Sequence, residues 1–198
     1  MKIAIIVFSS LFSFGLLSQS NWDFEKKDGN IKAYSRIKKD KDFYEFRTVF
    51  TVKTDIEEAK KLIFAVDKFK HWMPSTIDSK LLKSVDDNNK YAYTLIQTPW
   101  PASNRDLVFK VTKQEKNTKN VIFIMEGKSN YLPENSGIVR VQEYTAKWDI
   151  KQLSNDEIEV IYTASFNPGS TYPTWLIKNH MIDARIQTSK NFIKVLER

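Results

Sequence analysis

The chain has no cysteine, two histidines, His71 and His180, and five glycines in 198 residues. Without cysteine there is no disulfide, no zinc–thiolate cluster, no thiolate nucleophile and no N-terminal cysteine to carry a lipid anchor. Two isolated histidines make no His-Glu-x-x-His metal pair. The glycines, at positions 15, 29, 127, 137 and 169, make neither a phosphate-binding loop nor a Gly-x-Ser-x-Gly nucleophile elbow. Asp and Glu are plentiful but carry no acid–base motif, so the sequence offers no catalytic residue, no metal ligand and no cofactor site. Internal repeats, low-complexity tracts and Pro/Gly/Ser-rich linkers are also missing, and nothing marks a boundary inside the folded part. The longest apolar run, residues 3–17, falls short of the roughly 18 residues a membrane span needs and is broken by Ser9, Ser10 and Ser13.

That same run follows Lys2 and leads into Ser18-Gln19-Ser20, which places small residues at −3 and −1 of a cut before Asn21. This is the outline of a secretory signal peptide. The expected organisation is therefore a signal peptide over residues 1–20, cleaved near Ser20, and one domain over residues 21–198. A short signal and a cysteine-free domain suit an exported, periplasmic protein. The formal charge is +7, and loss of Lys2 leaves +6 on the domain. A basic balance attracts polyanions. The lysines are scattered (Lys26-Lys27, Lys38-Lys39, Lys60-Lys61, Lys68, Lys70), and an exported protein seldom meets nucleic acid. The expected charged partner is an anionic membrane surface, engaged transiently at about 1 kcal/mol per nearby lysine or arginine. The pattern does not specify an oligomeric state.

Hydrophobic periodicity then sets the elements. Residues 22–24 and 31–36 flank Asp28-Gly29-Asn30, a hairpin signal. Residues 43–53 alternate, with Tyr44, Phe46, Thr48, Phe50 and Val52 on one face, as a half-buried strand does. Thr54-Asp55-Ile56-Glu57 has capping-box spacing, and Ala59, Leu62, Ile63 and Val66 recur behind it at helical intervals. That helix runs toward Phe69, Trp72 and Met73 and stops at Pro74. Residues 79–166 read as an antiparallel meander of six strands. Its turns fall at residues 86–89, 99–104, 115–120, 131–137 and 154–156. Residues 174–196 form a last helix with two adjacent apolar stripes, Trp175, Ile182, Ile186, Ile193 and Leu196, and Ile177, Met181, Ala184, Phe192 and Val195. So wide a face must be covered by something large. A curved antiparallel sheet gripping one long C-terminal helix, an α+β helix-grip architecture, satisfies every face.

Two unusual stretches carry a family resemblance. Pro99-Trp100-Pro101-Ala102-Ser103-Asn104-Arg105-Asp106 ends one strand with prolines around an indole and restarts another through Arg-Asp. Asn167-Pro168-Gly169-Ser170-Thr171-Tyr172-Pro173-Thr174-Trp175-Leu176 ends a strand and opens the last helix behind Pro173. With Trp22, Asp28-Gly29-Asn30-Ile31, Tyr34, Trp72, Gly137-Ile138-Val139-Arg140 and Trp148, they follow the order of the START family, the StAR-related lipid-transfer domains, which this chain resembles from Trp22 to Arg198. The resemblance implies the helix-grip fold and binding of a lipid or similar hydrophobic molecule without covalent chemistry.

The aromatic residues supply the candidate site. Trp72, Tyr93, Trp100, Phe109, Phe123, Trp148, Tyr162, Phe166 and Met181 provide more inward apolar surface than one helix fills, so a hollow core is expected. Arg105 shares its strand face with Leu107, Phe109 and Val111, while Asp106 faces the other way. Arg105 either ties down the Trp100 turn or holds a polar headgroup at the cavity mouth, and a partner is expected in both cases. Where sterol-binding relatives place a further arginine on this strand, the chain has Phe109, Lys110 and Val111. Tyr131, Leu132, Pro168, Gly169 and Tyr172 are the expected lid, Gly169 freeing its turn. Two other readings stay open: a cyclase- or hydrolase-like enzyme acting in the same cavity, and an interaction module whose aromatics fill the core completely.

Overall fold

Gly29, at φ +59°, turns the chain between β1 (Asp23–Asp28) and β2 (Ile31–Ile37) in a tight antiparallel hairpin. The computed structural model describes residues 22–167 and 174–198, with side chains in the last helix from Lys178 onward. Residues 1–20, expected to be a signal peptide, and Pro168, Gly169 and Tyr172 of the expected lid lie outside the described residues. In β3 (Tyr44–Val52) the alternation holds: Phe46, Thr48, Phe50 and Val52 are buried and the residues between them are not.

Helix α1 (Ile56–Phe64) starts one residue later than the expected capping box. Its N-cap is Asp55, whose carboxylate accepts the Glu58 N–H at 3.0 Å. Thr54 is not the cap, because Asp55 already offers the stronger acceptor at the position the first turn requires. Ile56, Ala59 and Ile63 are buried beneath the helix. The α-helix ends at Phe64 and a short 3₁₀ helix, Val66–His71, carries the chain on to Trp72 and Pro74.

The rest of the sheet follows as β4 (Thr76–Ser84), β5 (Asn89–Ile96), β6 (Arg105–Asn117), β7 (Asn120–Gly127), β8 (Val139–Arg140), β9 (Tyr144–Ser154) and β10 (Glu157–Phe166). The six expected strands are present. The addition is β8, two residues long and paired parallel to the start of β6. Sheet order is β1-β2-β3-β10-β9-β7-β6-β5-β4. It is a curved antiparallel sheet closed by α2 (Thr174–Leu196), the expected α+β helix grip.

Ion pairs along β1 tie it to α2: Glu25 with Lys178 at 2.5 Å, Lys26 with Asp183 at 2.5 Å, and Asp28 with Lys190 at 2.7 Å. Partial burial alone would raise the Glu25 carboxyl. Lys178 and the Ser35 hydroxyl outweigh that and hold it below the ordinary carboxylate range. Deeper in, the hydroxyls of Thr48 on β3 and Ser189 on α2 share a buried hydrogen bond of 2.8 Å. Beside it Phe192 packs on Phe50, Trp72 and Trp148, and Trp148 stacks on Tyr162 with centroids 4.0 Å apart. This end of the space between helix and sheet is solid.

Candidate ligand cavity

Beyond that cluster the helix and sheet separate and leave between them a cavity of about 480 Å³, open at one side, within the ~300–1,000 Å³ range of small-molecule sites. Each wall follows a backbone period. From α2 come Met181, Ala184, Arg185 and Thr188, spaced to share one helical face. From β6 come Arg105, Leu107 and Phe109, the alternate residues of one strand face. Thr94 and Ile96 of β5 and Tyr144, Tyr162 and Phe166 of β9 and β10 complete the walls. The rim consists of the turn at residues 73–76, the β5–β6 loop at residues 97–102, and His180. Ser75 in that turn has φ +57°, a left-handed conformation that an L side chain adopts at a cost of about 1–2 kcal/mol.

Of the residues expected at the cavity, Arg105, Phe109, Tyr162, Phe166 and Met181 stand on its walls and Trp100 at its rim. Trp100 is 92% exposed, so its indole is neither core nor inner wall. Trp72, Trp148 and Phe123 face the same side of the sheet but lie in the solid part: Trp72 and Trp148 around Phe192, and Phe123 against Phe64. Tyr93 faces the opposite side, because Thr94 and Ile96 are the inward members of β5. Tyr131 and Leu132 do not cover the mouth. Tyr131 stacks on Tyr91 at 4.4 Å, on the outward face that Tyr91 shares with Tyr93.

The Arg105-Asp106 pair divides as strand geometry requires. Asp106 points away from the cavity and pairs with Arg140 of β8, each side chain being 1% exposed. Arg140 Nε donates to Asp106 Oδ1 at 2.6 Å and Nη2 to Oδ2 at 3.0 Å. Its remaining N–H groups donate to the carbonyls of Ser129, Leu132 and Pro133. The Asp106 hydrogen bonds raise the Arg140 pKa against the opposing effect of burial. Arg105 has a single long hydrogen bond, from Nη1 to Thr98 Oγ1 at 3.4 Å, which favours the tie to the Trp100 turn but gives it no carboxylate.

Sequence reasoning missed Arg140, Tyr144 and Arg185. Arg185 left a signal: it is the one cationic residue in the helical face Met181, Ala184, Arg185, Thr188. Tyr144 is half-buried at the cavity wall, and desolvation there, with a smaller push from Tyr162, raises its phenol well above the ordinary tyrosine value while Arg185 opposes the shift. Its folded pKa thus lies above the unfolded value of about 10. This contribution to stability is complete below that pH and is lost as pH rises above it. Tyr144→Phe is expected to lose less stability than the parent between about pH 9 and pH 11 in urea titrations. Equal losses would mean that the phenol does not ionise on unfolding. Among the described residues, no group of three or more His, Asp or Glu side chains could hold a metal.

Comparison with known proteins decides the family. The START domain model matches residues 10–198. The chain belongs to the START domain family. It is 26% identical over 178 residues to uncharacterized protein PA1579 of Pseudomonas aeruginosa, covering 90% of this chain and 88% of that protein. It is 25% identical over 167 residues to the phosphatidylcholine transfer protein of mouse, covering 81% and 77%. The crystal structure of a STAR-related lipid transfer protein fragment from Xanthomonas axonopodis superposes with a TM-score of 0.82 at 28% identity, over 89% of this chain and 99% of that one. The fold alone is shared with the Zhui aromatase/cyclase of Streptomyces, at a TM-score of 0.60 and 9% identity over 78% and 93%.

Proposed function

We propose that this START domain binds a lipid or comparable hydrophobic small molecule in the cavity between α2 and the sheet, for transfer or sensing, without covalent chemistry. The observation that carries the reading is the largely apolar space of about 480 Å³ between helix and sheet, open at its rim, in a chain of this family. It speaks against a completely filled interaction module. Burying about 400 Å² of ligand surface at ~25 cal/mol/Å² contributes about 10 kcal/mol before the costs of association, enough for micromolar binding. The relatives with assigned names, mouse phosphatidylcholine transfer protein and the Xanthomonas lipid transfer protein, favour transfer over the cyclase alternative.

Export to a periplasm and cleavage near Ser20 complete the proposal, supported by the run at residues 3–17 and the absence of cysteine. An anionic membrane surface is the proposed donor or acceptor. Trp100, exposed at the rim of the cavity, is suited to the water–lipid interface, where an indole buries its apolar body and keeps its N–H wet.

Native mass spectrometry of the protein purified from its own cell envelope tests the reading in one measurement. A polypeptide beginning at Asn21 with one hydrophobic molecule released on denaturation is the expected result. An empty protein that also gains no stability from a lipid panel would overturn it. In the same preparation Trp100→Ala should keep the ligand and, as an exposed position, change stability by no more than ~0.5 kcal/mol. Vesicle-to-vesicle transfer should fall several-fold, and an unchanged rate would remove Trp100 from membrane docking.

A further inference from the structure

The cavity walls carry positive charge with no answering carboxylate. Arg185 reaches in from α2, its guanidinium 5.9 Å from the centre of the Tyr162 ring. Its Nε is buried without a hydrogen-bond partner, and no Asp or Glu among the described residues lies within salt-bridge distance of it. Arg105 enters the same space from β6 with only Thr98 as a partner. The fully buried Arg140, by contrast, meets Asp106 and three carbonyls. No Asp or Glu is among the described lining residues. Residues 1–21 and 168–177 contain none in their sequence, so they have no side-chain carboxylate to offer.

A half-buried guanidinium facing an apolar cavity is destabilising until an anion meets it, because the low-dielectric surroundings strengthen both its desolvation cost and any pairing it makes. Arginine also offers a planar fork of donors that matches carboxylate and phosphate oxygens. Tyr144 stands close enough for its phenol to feel the Arg185 charge, and burial keeps that phenol protonated, so it is a donor and not a competing anion.

We propose that the ligand is an anionic amphiphile, with its oxyanion head, carboxylate or phosphate, buried against Arg185 and its tail along Leu107, Phe109 and Met181. This rests on the lipid-binding reading and narrows it. Arg185 is the specificity-determining residue, Tyr144 and Tyr162 flank the head, and Arg105 adds a second positive charge on the β6 wall. Neutral lipids of the same length fill the same space but leave the Arg185 charge unmet, so the cavity discriminates by charge.

The test uses the signal-free chain with four probes of one tail length: oleate, oleoyl lysophosphatidate, oleyl alcohol and monoolein. Affinity is read by displacement of a fluorescent fatty alcohol. The two anions should bind about 10- to 100-fold more tightly than the two neutral probes, the range expected for a charge-assisted hydrogen bond. Arg185→Met should abolish that preference while binding the neutral probes as well as the parent or better. Arg185→Lys should keep part of the preference. Arg36→Met, which removes an equal charge away from the cavity, should keep all of it. If Arg185→Met does not fold, Arg185→Gln serves in its place. Whichever anion binds more tightly distinguishes a fatty-acid carboxylate from a phosphate headgroup. Binding of all four without preference, or a preference that survives Arg185→Met, overturns the charge assignment and leaves lipid binding standing. Binding of none overturns lipid binding itself and this inference with it.

Discussion

Replacing Arg140 by methionine is expected to destabilise the protein by about 3–5 kcal/mol, the loss seen when one partner of a buried ion pair is removed. Since domains of this size are stable by only ~5–15 kcal/mol, that is a large share of the total. All five guanidinium N–H donors have partners within 3.1 Å, two on Asp106 and three on the carbonyls of residues 129, 132 and 133. Methionine fills a similar volume, so the loss is electrostatic and not a cavity effect. It strands the Asp106 carboxylate on the face of β6 opposite the cavity. Arg140→Lys should recover little, because an ammonium cannot reproduce the two-pronged contact. The double change Asp106→Leu with Arg140→Met should be less damaging than the sum of the singles, since it removes the stranded charge. Urea denaturation of the parent and the four variants checks this, and a loss below about 1 kcal/mol for Arg140→Met would show that the pair is not a keystone of the sheet edge. The consequence reaches the cavity, because Asp106 lies between Arg105 and Leu107, both of which face it. Loosening its anchor frees the start of β6 and with it one cavity wall.

What the sequence displays and what it conceals follow from the same geometry. Alternation shows which face of a strand turns inward, and β3 was readable to within one residue at each end because Phe46, Thr48, Phe50 and Val52 keep strict period two, Tyr44 alone of the expected face being only half-buried. The limits of α2, residues 174–196, were marked by Pro173 and by its apolar stripes. Alternation does not reveal how far along the sheet a side chain sits. Trp72, Trp148 and Phe123 were rightly turned inward but fall at the end that Phe192 fills, whereas Phe109 and Phe166 fall where the helix stands off. Tyr93 misled because an aromatic ring drew more weight than the register of its neighbours Thr94 and Ile96. β8 is two residues long and has no pattern to detect, so Arg140, although part of Gly137-Ile138-Val139-Arg140, gave no hint that it closes on Asp106, 34 positions away. Arg185 was hidden by averaging. In a helix read for its apolar stripes, one cation inside the stripe looks like tolerance, yet with Arg105 it brings positive charge to the cavity wall.

Ala184→Phe is expected to empty the protein of its ligand without unfolding it. Ala184 stands on α2 between Met181 and Arg185 and faces the cavity, so a benzyl side chain there projects into the space a ligand tail would occupy. Replacing alanine by phenylalanine in a helix costs about 0.5 kcal/mol of propensity. Contact of the new ring with Leu107, Phe109 and Phe166 across the void offsets that, since a void leaves its lining without partner atoms. Stability of the ligand-free protein should therefore be unchanged or higher, while the yield of released ligand in native mass spectrometry falls from about one per chain to near zero. This separates occupancy from recognition: Ala184→Phe blocks every hydrophobic guest alike, whereas Arg185→Met changes which guest is preferred. A filled variant that still carried one ligand at full affinity would place the binding site elsewhere. If Ala184→Phe loses the ligand and gains stability, then the parent gives up packing energy in order to keep the space open, as expected of a cavity maintained for a guest.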